Sequence, residues 1–516
     1  MKFKTLLRTL MVAVPLTLYV AVPVVAGTVT VRGFEGTSQL NNCALGECFR
    51  PPDTMGAVGT TQFMETTNGS ITIYNKATGA VESRVNMQTF WAAAGQPGGA
   101  RGDQRVLFDH YTNRWIAIGF GVTGNVINIG VSETSNALGP WKSTAVTALP
   151  STASTADYPT LGMDSKGVYI ATNNFTPGFT GTSLFSIPKT SLFGGAPSTA
   201  NMTTFNTPLS GSDRGFAIQA AVKWDGNASN SASVISDSRD LNAQVFYKIN
   251  GVDGPGATQT ASAVIAGSQY AAAANPARQP DGTRTVDTLS PRISANSVQV
   301  GDKLYSVATI KSPIVNGVSY SDIRWTVVDA NTGVLVSSGM IDQGNFDYYE
   351  GSIAVNEIGQ AVIGYNRSGF QTGDGNGDGK ADGNISFLAR TFKIDSFGGL
   401  TAFGDELLLR VSDISDYHCG PRGNPGGCRE RWGDYSAVTI DPSDHSKFFA
   451  IGEYASEWAI IPGFTTDPRA IWHTYIAEIG FVPPDSLVPE PDSLALFGVG
   501  LAALLLTRRR RERTAI

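Results

Sequence analysis

Six aspartates stand just ahead of short apolar segments, and arginines lie close to three of them. The aspartates are Asp53, Asp103, Asp157, Asp287, Asp347 and Asp434, and the arginines are Arg105, Arg292 and Arg431. If these segments meet in space, the guanidiniums could hold the carboxylate of an anionic sugar, and an Asp or Glu350 could serve as the acid. The alternative is that the charges pair between repeats and cap strand starts. Repetition favours this alternative, because catalytic residues differ between repeats whereas structural ones recur.

The residues that we single out as candidate ligand-binding groups form one set. They are Asp53, Asp103, Arg105, Asp157, Arg292, Asp347, Glu350, Arg431, Asp434 and Tyr435. Other catalytic signatures are lacking, since the chain contains no HExxH and no GxSxG motif and has only four histidines.

A second chemical candidate is the run DGNGDGKAD at 374–382, which resembles the first nine positions of an EF-hand or dockerin-like calcium loop. Oxygen donors fall at positions one, three, five, seven (a backbone carbonyl) and nine, and these residues are Asp374, Asn376, Asp378, Lys380 and Asp382. Gly379 at position six permits the sharp turn, whereas position twelve is Ile385 and lacks the bidentate acid. The pattern predicts a Ca²⁺ site of reduced affinity, and the alternative is a flexible acidic hairpin.

The four cysteines form two close pairs, Cys43 with Cys48 and Cys419 with Cys428. In an exported chain this spacing predicts two local disulfides, each pinning one loop. The alternative is a four-thiolate zinc site, but the gaps within the pairs are wider than the usual two-residue spacing.

The elements that must position these residues are short strands in a repeated pattern. The clearest copy is 157–175, an acidic start followed by two apolar strands around a polar turn, and copies begin again at Asp347 and Asp434. Looser copies begin at Asp53, Asp103 and Asp287, and a seventh is suspected around Phe216. Intervals of roughly 50 to 90 residues between copies are typical of stacked or circular repeats.

Composition agrees with an extracellular β protein. The charged fraction is 16%, and the chain contains 58 glycines among its 516 residues. The formal net charge of -6 leaves no basic surface to neutralise phosphates, which argues against a nucleic-acid partner.

These patterns predict an all-β fold, a seven-bladed β-propeller over residues 27–480, with six or eight blades as variants and two tandem β-sandwiches as the rival architecture. The segment Thr28–Val31 is predicted to complete the last blade by pairing with Ala470–Ile479. Tryptophans such as Trp115 are expected to pack between blades.

Both ends of the chain carry targeting features. Basic residues and an apolar run predict a signal peptide at 1–26. At the other end, a proline-rich linker at 481–491 precedes an apolar run at 492–507 and an arginine-rich tail at 508–516. The apolar run predicts a short transmembrane helix, with the basic tail in the cytoplasm and the body of the protein outside.

The order of Pro-Glu-Pro motif, short apolar run and terminal arginines resembles the PEP-CTERM sorting tail of Gram-negative bacteria. The motif residues are Val488, Pro489, Glu490 and Pro491. The resemblance implies recognition by an exosortase at the inner membrane, cleavage near this motif, and release to the cell surface or extracellular matrix.

The repeats also resemble bacterial secreted sialidase-like propellers, in PPDTMGAVG at 51–59, DYPTLGMD at 157–164 and RWGDYSAVTIDP at 431–442. The strict Asp box of sialidases is absent. By this resemblance, Tyr435 or Tyr348 could be a nucleophile.

Two functions are therefore expected from the sequence. The first is a non-catalytic, exported surface or matrix module that binds a ligand such as polysaccharide. The alternative is a glycan hydrolase or lyase that uses the Asp and Arg residues at the propeller axis.

Overall fold

Neighbouring segments of the chain pair as antiparallel strands through almost the whole described structure. The computed structural model describes residues 29–482 except 97, 101, 122, 208–214, 239–240, 269–275, 281, 283, 290, 313–316 and 422–429. Every described helix and strand lies in the compact unit Val29–Phe481. The predicted signal peptide, apolar helix and basic tail lie outside the described residues. In the described part of the chain, no helix is long and apolar enough to cross a membrane.

Three short helices and 31 strands make up the secondary structure of the described residues. The helices are α1 (Gln39–Ala44), α2 (Met87–Ala93) and α3 (Lys189–Phe193). The first strands are β1 (Val29–Ser38), β2 (Met55–Val58), β3 (Gln62–Thr66), β4 (Ser70–Asn75), β5 (Val81–Asn86), β6 (Arg105–Asp109), β7 (Arg114–Phe120), β8 (Val126–Ser132), β9 (Trp141–Thr147), β10 (Thr155–Met163), β11 (Gly167–Phe175), β12 (Phe179–Pro188), β13 (Thr203–Thr207), β14 (Phe216–Ala220) and β15 (Val222–Lys223). The remaining strands are β16 (Ser231–Ser238), β17 (Ala243–Asn250), β18 (Thr258–Gln259), β19 (Ala263–Val264), β20 (Val298–Val300), β21 (Lys303–Lys311), β22 (Ser321–Asp329), β23 (Leu335–Ile341), β24 (Phe346–Val355), β25 (Gln360–Gly369), β26 (Ser386–Ile394), β27 (Leu400–Ala402), β28 (Leu407–Val411), β29 (Ala437–Ile440), β30 (Lys447–Ala459) and β31 (Arg469–Phe481).

Five blades stand as separate sheets of four or five strands. They consist of β2 to β5, β6 to β9, β14 with β16 to β19, β24 to β28, and β29 to β31 with β1. The other nine strands form one sheet in the order β13-β12-β11-β10-β15-β20-β21-β22-β23. Inner strands of neighbouring sheets contact one another around an axis, as β2 does with β6 and β29. The all-β propeller class is therefore confirmed, and two tandem sandwiches are excluded.

The prediction of a seven-bladed propeller, with six or eight blades as variants, is wrong, because the described residues form five blades that are separate sheets. The segments β10 to β13 and β20 to β23 are continuous with each other. The two-residue strand β15 joins them, pairing in parallel with β10 on one side and β20 on the other. The amide of Met163 donates to Ala221 O at 3.2 Å, and the amide of Val222 donates to Ser297 O at 2.8 Å. Counting repeated strand starts could not reveal so short a bridging strand.

Burial decreases from the axis outward. The inner strands β2, β6, β14 and β29 are buried at every residue, because sheets cover both of their faces. The outer strand β5 has no buried residue. Trp115 is fully buried among side chains such as Ile73 of the first blade and Val106 of the next. It packs between blades, as predicted.

The two ends of the described unit are hydrogen-bonded together. Strand β1 pairs antiparallel with β31, with Val31 opposite Ile479 and Gly33 opposite Ala477. The predicted N-terminal clasp is thus confirmed, and it extends beyond Val31 as far as Ser38. Just after it, Cys43 and Cys48 form a disulfide at the end of α1. Cys428 lies outside the described residues, so the second predicted pairing stays a prediction.

A buried carboxylate ties the clasp to the first blade. Glu65 on β3 is 1% exposed. Its oxygens accept hydrogen bonds from the hydroxyls of Thr37 on β1 at 2.8 Å, Tyr74 on β4 at 2.6 Å and Thr474 on β31 at 2.5 Å. One side chain therefore joins both termini of the unit to the blade that follows β1.

We expect Glu65→Gln to lower the unfolding free energy by about 1–3 kcal/mol, because an amide group brings N–H donors to face hydroxyl donors in a buried site. Urea denaturation followed by tryptophan fluorescence measures this. The matched control is Glu133→Gln on the surface, where the ion pair of Glu133 with Lys142 is 36% and 47% exposed. We expect Glu133→Gln to change the unfolding free energy by less than about 0.5 kcal/mol. Equal effects of the two substitutions would contradict a special role for Glu65.

Candidate ligand site at the propeller axis

Loops that enter the inner strands meet at one end of the axis. Six non-glycine residues in these loops or at the starts of the strands that follow them have left-handed backbone conformations, and these are Asp53 (φ 48°), Asp103 (φ 50°), Tyr158 (φ 55°), Ala217 (φ 52°), Leu289 (φ 64°) and Glu350 (φ 53°). Strand pairing is interrupted at the same place in β10, between Asp157 and Thr160. Such bulges and strained residues redirect side chains, and the packed sheets maintain them.

Asn68 and the backbone hold the first two aspartates. The Asn68 amide donates to Asp53 Oδ2 at 2.5 Å, and Asn68 Oδ1 accepts from the amide of Asp103 at 2.9 Å. Asp53 Oδ1 also accepts from the backbone N–H of Asp434 at 2.9 Å. The hydroxyl of Tyr435 donates to Asp103 Oδ2 at 2.9 Å. These bonds connect the last blade with the first two.

Arg105, the most buried arginine of the described residues, is held by the protein through its Nε and Nη1, whereas its buried Nη2 has no hydrogen-bond partner there. Arg105 is 1% exposed. Its Nε donates to Pro159 O at 2.9 Å and its Nη1 donates to Ser294 O at 3.3 Å. The guanidinium also lies over the Tyr435 ring, 3.8 Å from its centroid. Arg105 therefore links several blades.

The other two predicted arginines lie nearer to solvent. Arg431 forms an ion pair with Asp434, and their side chains are 29% and 13% exposed. Arg292 is half-buried and lies over the ring of Tyr158 at 4.8 Å. Asp157 is also half-buried, so the end of the axis is partly open to water.

Burial and mutual repulsion change the acidity of the carboxyl groups. Burial, followed by the charges of Asp157 and Asp434, raises the pKa of Asp103 to about 7. Burial and Asp434 likewise raise the pKa of Asp157. A carboxyl group that titrates near neutral pH can donate or accept a proton under physiological conditions.

Two glutamates lie deeper. Glu350 is 2% exposed and Glu453, on β30, is 0% exposed. Burial raises the pKa of both well above the ordinary value; the charges of Asp434 and Asp53 add to the effect on Glu350, and those of Glu350 and Asp53 add to the effect on Glu453. Gly433 lies beside them, and a Cβ atom there would lie 2.5 Å from Glu453 Oε1, so a larger residue would displace this carboxyl group.

The structure brings nine of the ten predicted ligand-binding residues to this end of the axis, and Asp347 is the exception. The carboxylate of Asp347 is fully buried and accepts from Arg278 Nη1 at 2.9 and 3.0 Å and from the amide of Ser321 at 3.0 Å. Its role is structural. Tyr348 is also buried away from the aspartates, with its hydroxyl 3.4 Å from Gln343 O.

Sequence reasoning missed Asn68 and Glu453. Asn68 lies in the turn between β3 and β4 and is not acidic, and it therefore falls outside the repeated acidic starts. Glu453 is a charged residue within the apolar strand FFAIGEYA, and this contrast was the available signal. Asp287, one of the acidic starts, also reaches the site, where its charge acts on Glu350 and Arg431.

Trp224 lies at the opposite end of the axis. The indole is stacked on the His110 ring at 4.2 Å and meets His445 edge-on at 5.6 Å. A cavity of about 30 Å³ lies beside it, lined by residues such as Val58 and Ile440 at the ends of β2 and β29. Partly exposed charged groups therefore lie at the aspartate end, and a small cavity beside Trp224 lies at the other end.

The predicted calcium loop is an exposed turn between β25 and β26. Asp374 Oδ1 accepts from the amides of Gly377 at 2.7 Å and Asp378 at 3.0 Å, and its Oδ2 accepts from the amide of Gly379 at 2.9 Å. Lys380 forms an ion pair with Asp413. In the described residues, no group of three or more His, Cys, Asp or Glu side chains is arranged to hold a metal ion. Calcium binding therefore stays a prediction.

Residues 487–511 match the PEP-CTERM protein-sorting motif. This match includes the Pro-Glu-Pro residues and most of the arginines. The motif indicates an exported protein that an exosortase sorts and that is processed at the membrane. No curated protein matches the chain.

Several solved structures are similar to the chain over most of its length. The alpha-L-arabinofuranosidase of Fusarium graminearum is 9% identical with a TM-score of 0.32, and the alignment covers 83% of this chain and 94% of that chain. Hydrazine synthase of Kuenenia stuttgartiensis is 9% identical with a TM-score of 0.31, over 78% and 74% of the two chains. Drosophila Semaphorin 1a is 7% identical with a TM-score of 0.37, over 77% and 84%. At these values no conclusion about activity is drawn from them.

The raised pKa of Asp103 predicts how stability depends on pH. Its folded-state pKa of about 7 exceeds the ordinary 3.8, so the folded state binds this proton more tightly than the unfolded state does. The contribution of Asp103 to the unfolding free energy should therefore fall as pH rises from about 4 to about 7, and stay constant above that.

We expect Asp103→Asn to remove the fall in unfolding free energy between about pH 4 and pH 7 that Asp103 causes. At pH 8 the variant should have an unfolding free energy on the order of 1–4 kcal/mol above that of wild type. Urea denaturation at pH 5 and pH 8 measures the effect. Asp405→Asn, at an exposed position, is the control and should leave the unfolding free energy unchanged at both pH values. If Asp103→Asn destabilises the protein equally at both pH values, the raised pKa is contradicted.

Proposed function

We propose that this exported β-propeller is a non-catalytic binding module that holds extracellular polysaccharide at the aspartate end of its axis. The observation that carries the proposal is the meeting of Asp157, Asp434 and Arg431 at a partly open mouth. Carboxylate and guanidinium groups are suitable partners for sugar hydroxyls, since one accepts and the other donates hydrogen bonds.

The contacts between blades support binding rather than catalysis. Asp53 and Asp103 are held by Asn68, Tyr435 and the backbone of Asp434, and Arg105 is held by backbone carbonyls. Groups restrained in this way give a rigid surface, but they have few free atoms for reacting with a substrate. At the other end of the axis, Trp224 packs against His110 and His445.

A glycan hydrolase is the second candidate, and one observation favours it. The pKa of Asp103, raised to about 7 by burial and by Asp157 and Asp434, lies in the range of a general acid. Asp157 or Asp434 would then act as the second carboxylate.

A glycan array probed with the full chain, with and without calcium, tests the proposal. We expect retention of a defined polysaccharide class without release of sugar products, and weaker retention by Asp157→Asn because it removes a charged acceptor at the mouth. Asp405→Asn is the matched control and should bind as wild type does. Product release that is lost in Asp103→Asn would favour the hydrolase, and unchanged binding by Asp157→Asn would exclude the axial site.

We further propose that exosortase cleavage near Pro489–Pro491 delivers the propeller to the cell surface or matrix. Replacing Pro489 and Glu490 by Ala should leave a larger form in the membrane fraction, because the recognition motif is lost. Immunoblots of fractionated cells measure this. Ser486→Ala, just outside the matched residues 487–511, should be processed normally. Normal processing of the double variant would contradict the proposal.

Calcium binding at 374–382 is proposed as a separate feature of the same module. We expect an affinity on the order of 0.1–1 mM, because the bidentate acid of position twelve is absent. Terbium luminescence and calorimetry on the full chain measure this. Asp374→Asn combined with Asp378→Asn should abolish the signal and Asp405→Asn should retain it. An unaltered signal in the double variant would place the ion elsewhere.

A further inference from the structure

A surface groove lies at the Trp224 end of the propeller, away from the axial aspartates. Strand β24 runs from Glu350 at the aspartate end to Ala354, which lines the small cavity beside Trp224. The turn that follows β24 therefore lies at the Trp224 end. This turn, the β20–β21 turn and the β26–β27 turn together surround the groove.

The groove has the size and the mixed lining of a ligand site. Its volume is about 480 Å³. Ligand pockets in proteins typically measure about 300–1,000 Å³ and combine apolar surface with a few polar groups. The side chains that line it include Asp302, Lys303, Glu357, Ser396 and Phe397.

Phe397 is the most exposed large apolar side chain among the described residues, at 79%. The backbone of its turn is fixed, because Asp395 Oδ1 accepts hydrogen bonds from the amides of Phe397 at 2.8 Å and Gly399 at 2.9 Å. Gly398 (φ 92°) lets the turn approach the neighbouring sheet, since a Cβ atom there would lie 2.9 Å from Lys303 Cγ. An ordered turn therefore presents an aromatic ring to water at the edge of the groove, where a ligand could bury it.

The three charged side chains in this lining already have partners within the protein. Lys303 Nζ lies 2.8 Å from Asp302 Oδ2 and 3.7 Å from Asp329 Oδ2. Glu357 Oε1 contacts His445 Nδ1. The side chains of Asp302 and Glu357 are nevertheless 56% and 40% exposed, so their carboxylates can accept further hydrogen bonds.

A row of aromatic rings continues from the groove. His445, which contacts Glu357, meets Trp224 edge-on at 5.6 Å. Trp224 is stacked on His110 at 4.2 Å, and the rings of His110 and Tyr111 lie 3.8 Å apart. Each of these rings is half-buried. Their exposed parts extend the surface that is available to an oligomer beyond the groove itself.

A neutral sugar matches this lining better than an apolar or a charged ligand does. Its CH groups can pack on an aromatic ring, and its hydroxyl groups can donate hydrogen bonds to carboxylates. A wholly apolar ligand would remove water from Asp302 and Glu357 without replacing its hydrogen bonds. A charged ligand would have to compete with the ion pairs of Lys303.

We propose that this groove is a second carbohydrate site, which binds a neutral oligosaccharide with one sugar ring packed on Phe397 and hydroxyl groups bonded to Asp302 and Glu357. The site goes beyond the proposed function, because it shares no residue with the aspartate end of the axis. It can therefore be tested independently of the axial site.

Calorimetry on the full chain, purified in a detergent without a sugar headgroup, tests the proposal. The probes are hexamers of β-1,4-linked glucose, of N-acetylglucosamine and of galacturonic acid. We expect a neutral hexamer to bind about tenfold or more tightly than the galacturonic acid hexamer, because the charges of the groove are already paired.

Phe397→Leu should weaken binding of the neutral hexamer by about tenfold or more, because leucine is apolar but lacks a flat ring, and Phe397→Trp should retain it. The matched control is Phe464→Leu, since Phe464 is 52% exposed and does not line the groove. Thermal melts show that each variant is folded. Unchanged affinity in folded Phe397→Leu would overturn the proposal.

Asp157→Asn, at the aspartate end, separates the two sites. If hexamer binding is lost in Phe397→Leu and kept in Asp157→Asn, the groove is the carbohydrate site and the axial site is wrong. If the reverse is found, the axial site stands and the groove proposal is wrong. If no hexamer binds, both are wrong. If benzyl alcohol binds as tightly as the neutral hexamer and depends on Phe397, the groove takes apolar ligands and the proposal is wrong.

Discussion

Closure of the ring is the constraint on which the rest of the structure depends. Blades of a propeller each have two apolar faces and are stable only when both are covered, so the first and last blades must be joined. Pairing of β1 with β31 provides the join, and the buried Glu65 adds hydrogen bonds from Thr37, Tyr74 and Thr474. The join is non-local, since it brings together residues more than 400 positions apart.

Closure also creates the candidate site. Inner strands run side by side around the axis, so equivalent positions ahead of β2, β6, β10, β24 and β29 come to the same end. There the left-handed residues turn Asp53, Asp103 and Glu350 toward one another. Their repulsion is unfavourable and is offset by packing, hydrogen bonds from Asn68 and Tyr435, and partial protonation near neutral pH.

The sequence allowed the propeller class and the N-terminal clasp to be predicted correctly, and nine of the ten candidate residues lie at one end of the axis, where ligand binding stays a prediction. The reason is that strand starts and apolar alternation are local features, and a repeated local feature occupies equivalent positions in a ring. Asp347 has the same local pattern as the other aspartates, but its carboxylate forms an ion pair with Arg278 from a distant loop. The sequence pattern could not show this pairing. The prediction of seven blades was wrong because β15, which joins two groups of strands into one sheet, is only two residues long and its parallel partners are remote in sequence.

The amino-acid sequence by itself determined the strand pattern, the acidic loop starts and the sorting tail, all of which depend on residues close together in the chain. Only the tertiary structure decided which charges meet, which arginines are already occupied, and that Glu350 and Glu453 lie buried beneath the mouth. Burial and charge pairing depend on contacts between segments hundreds of residues apart, and those contacts exist only once the ring has closed.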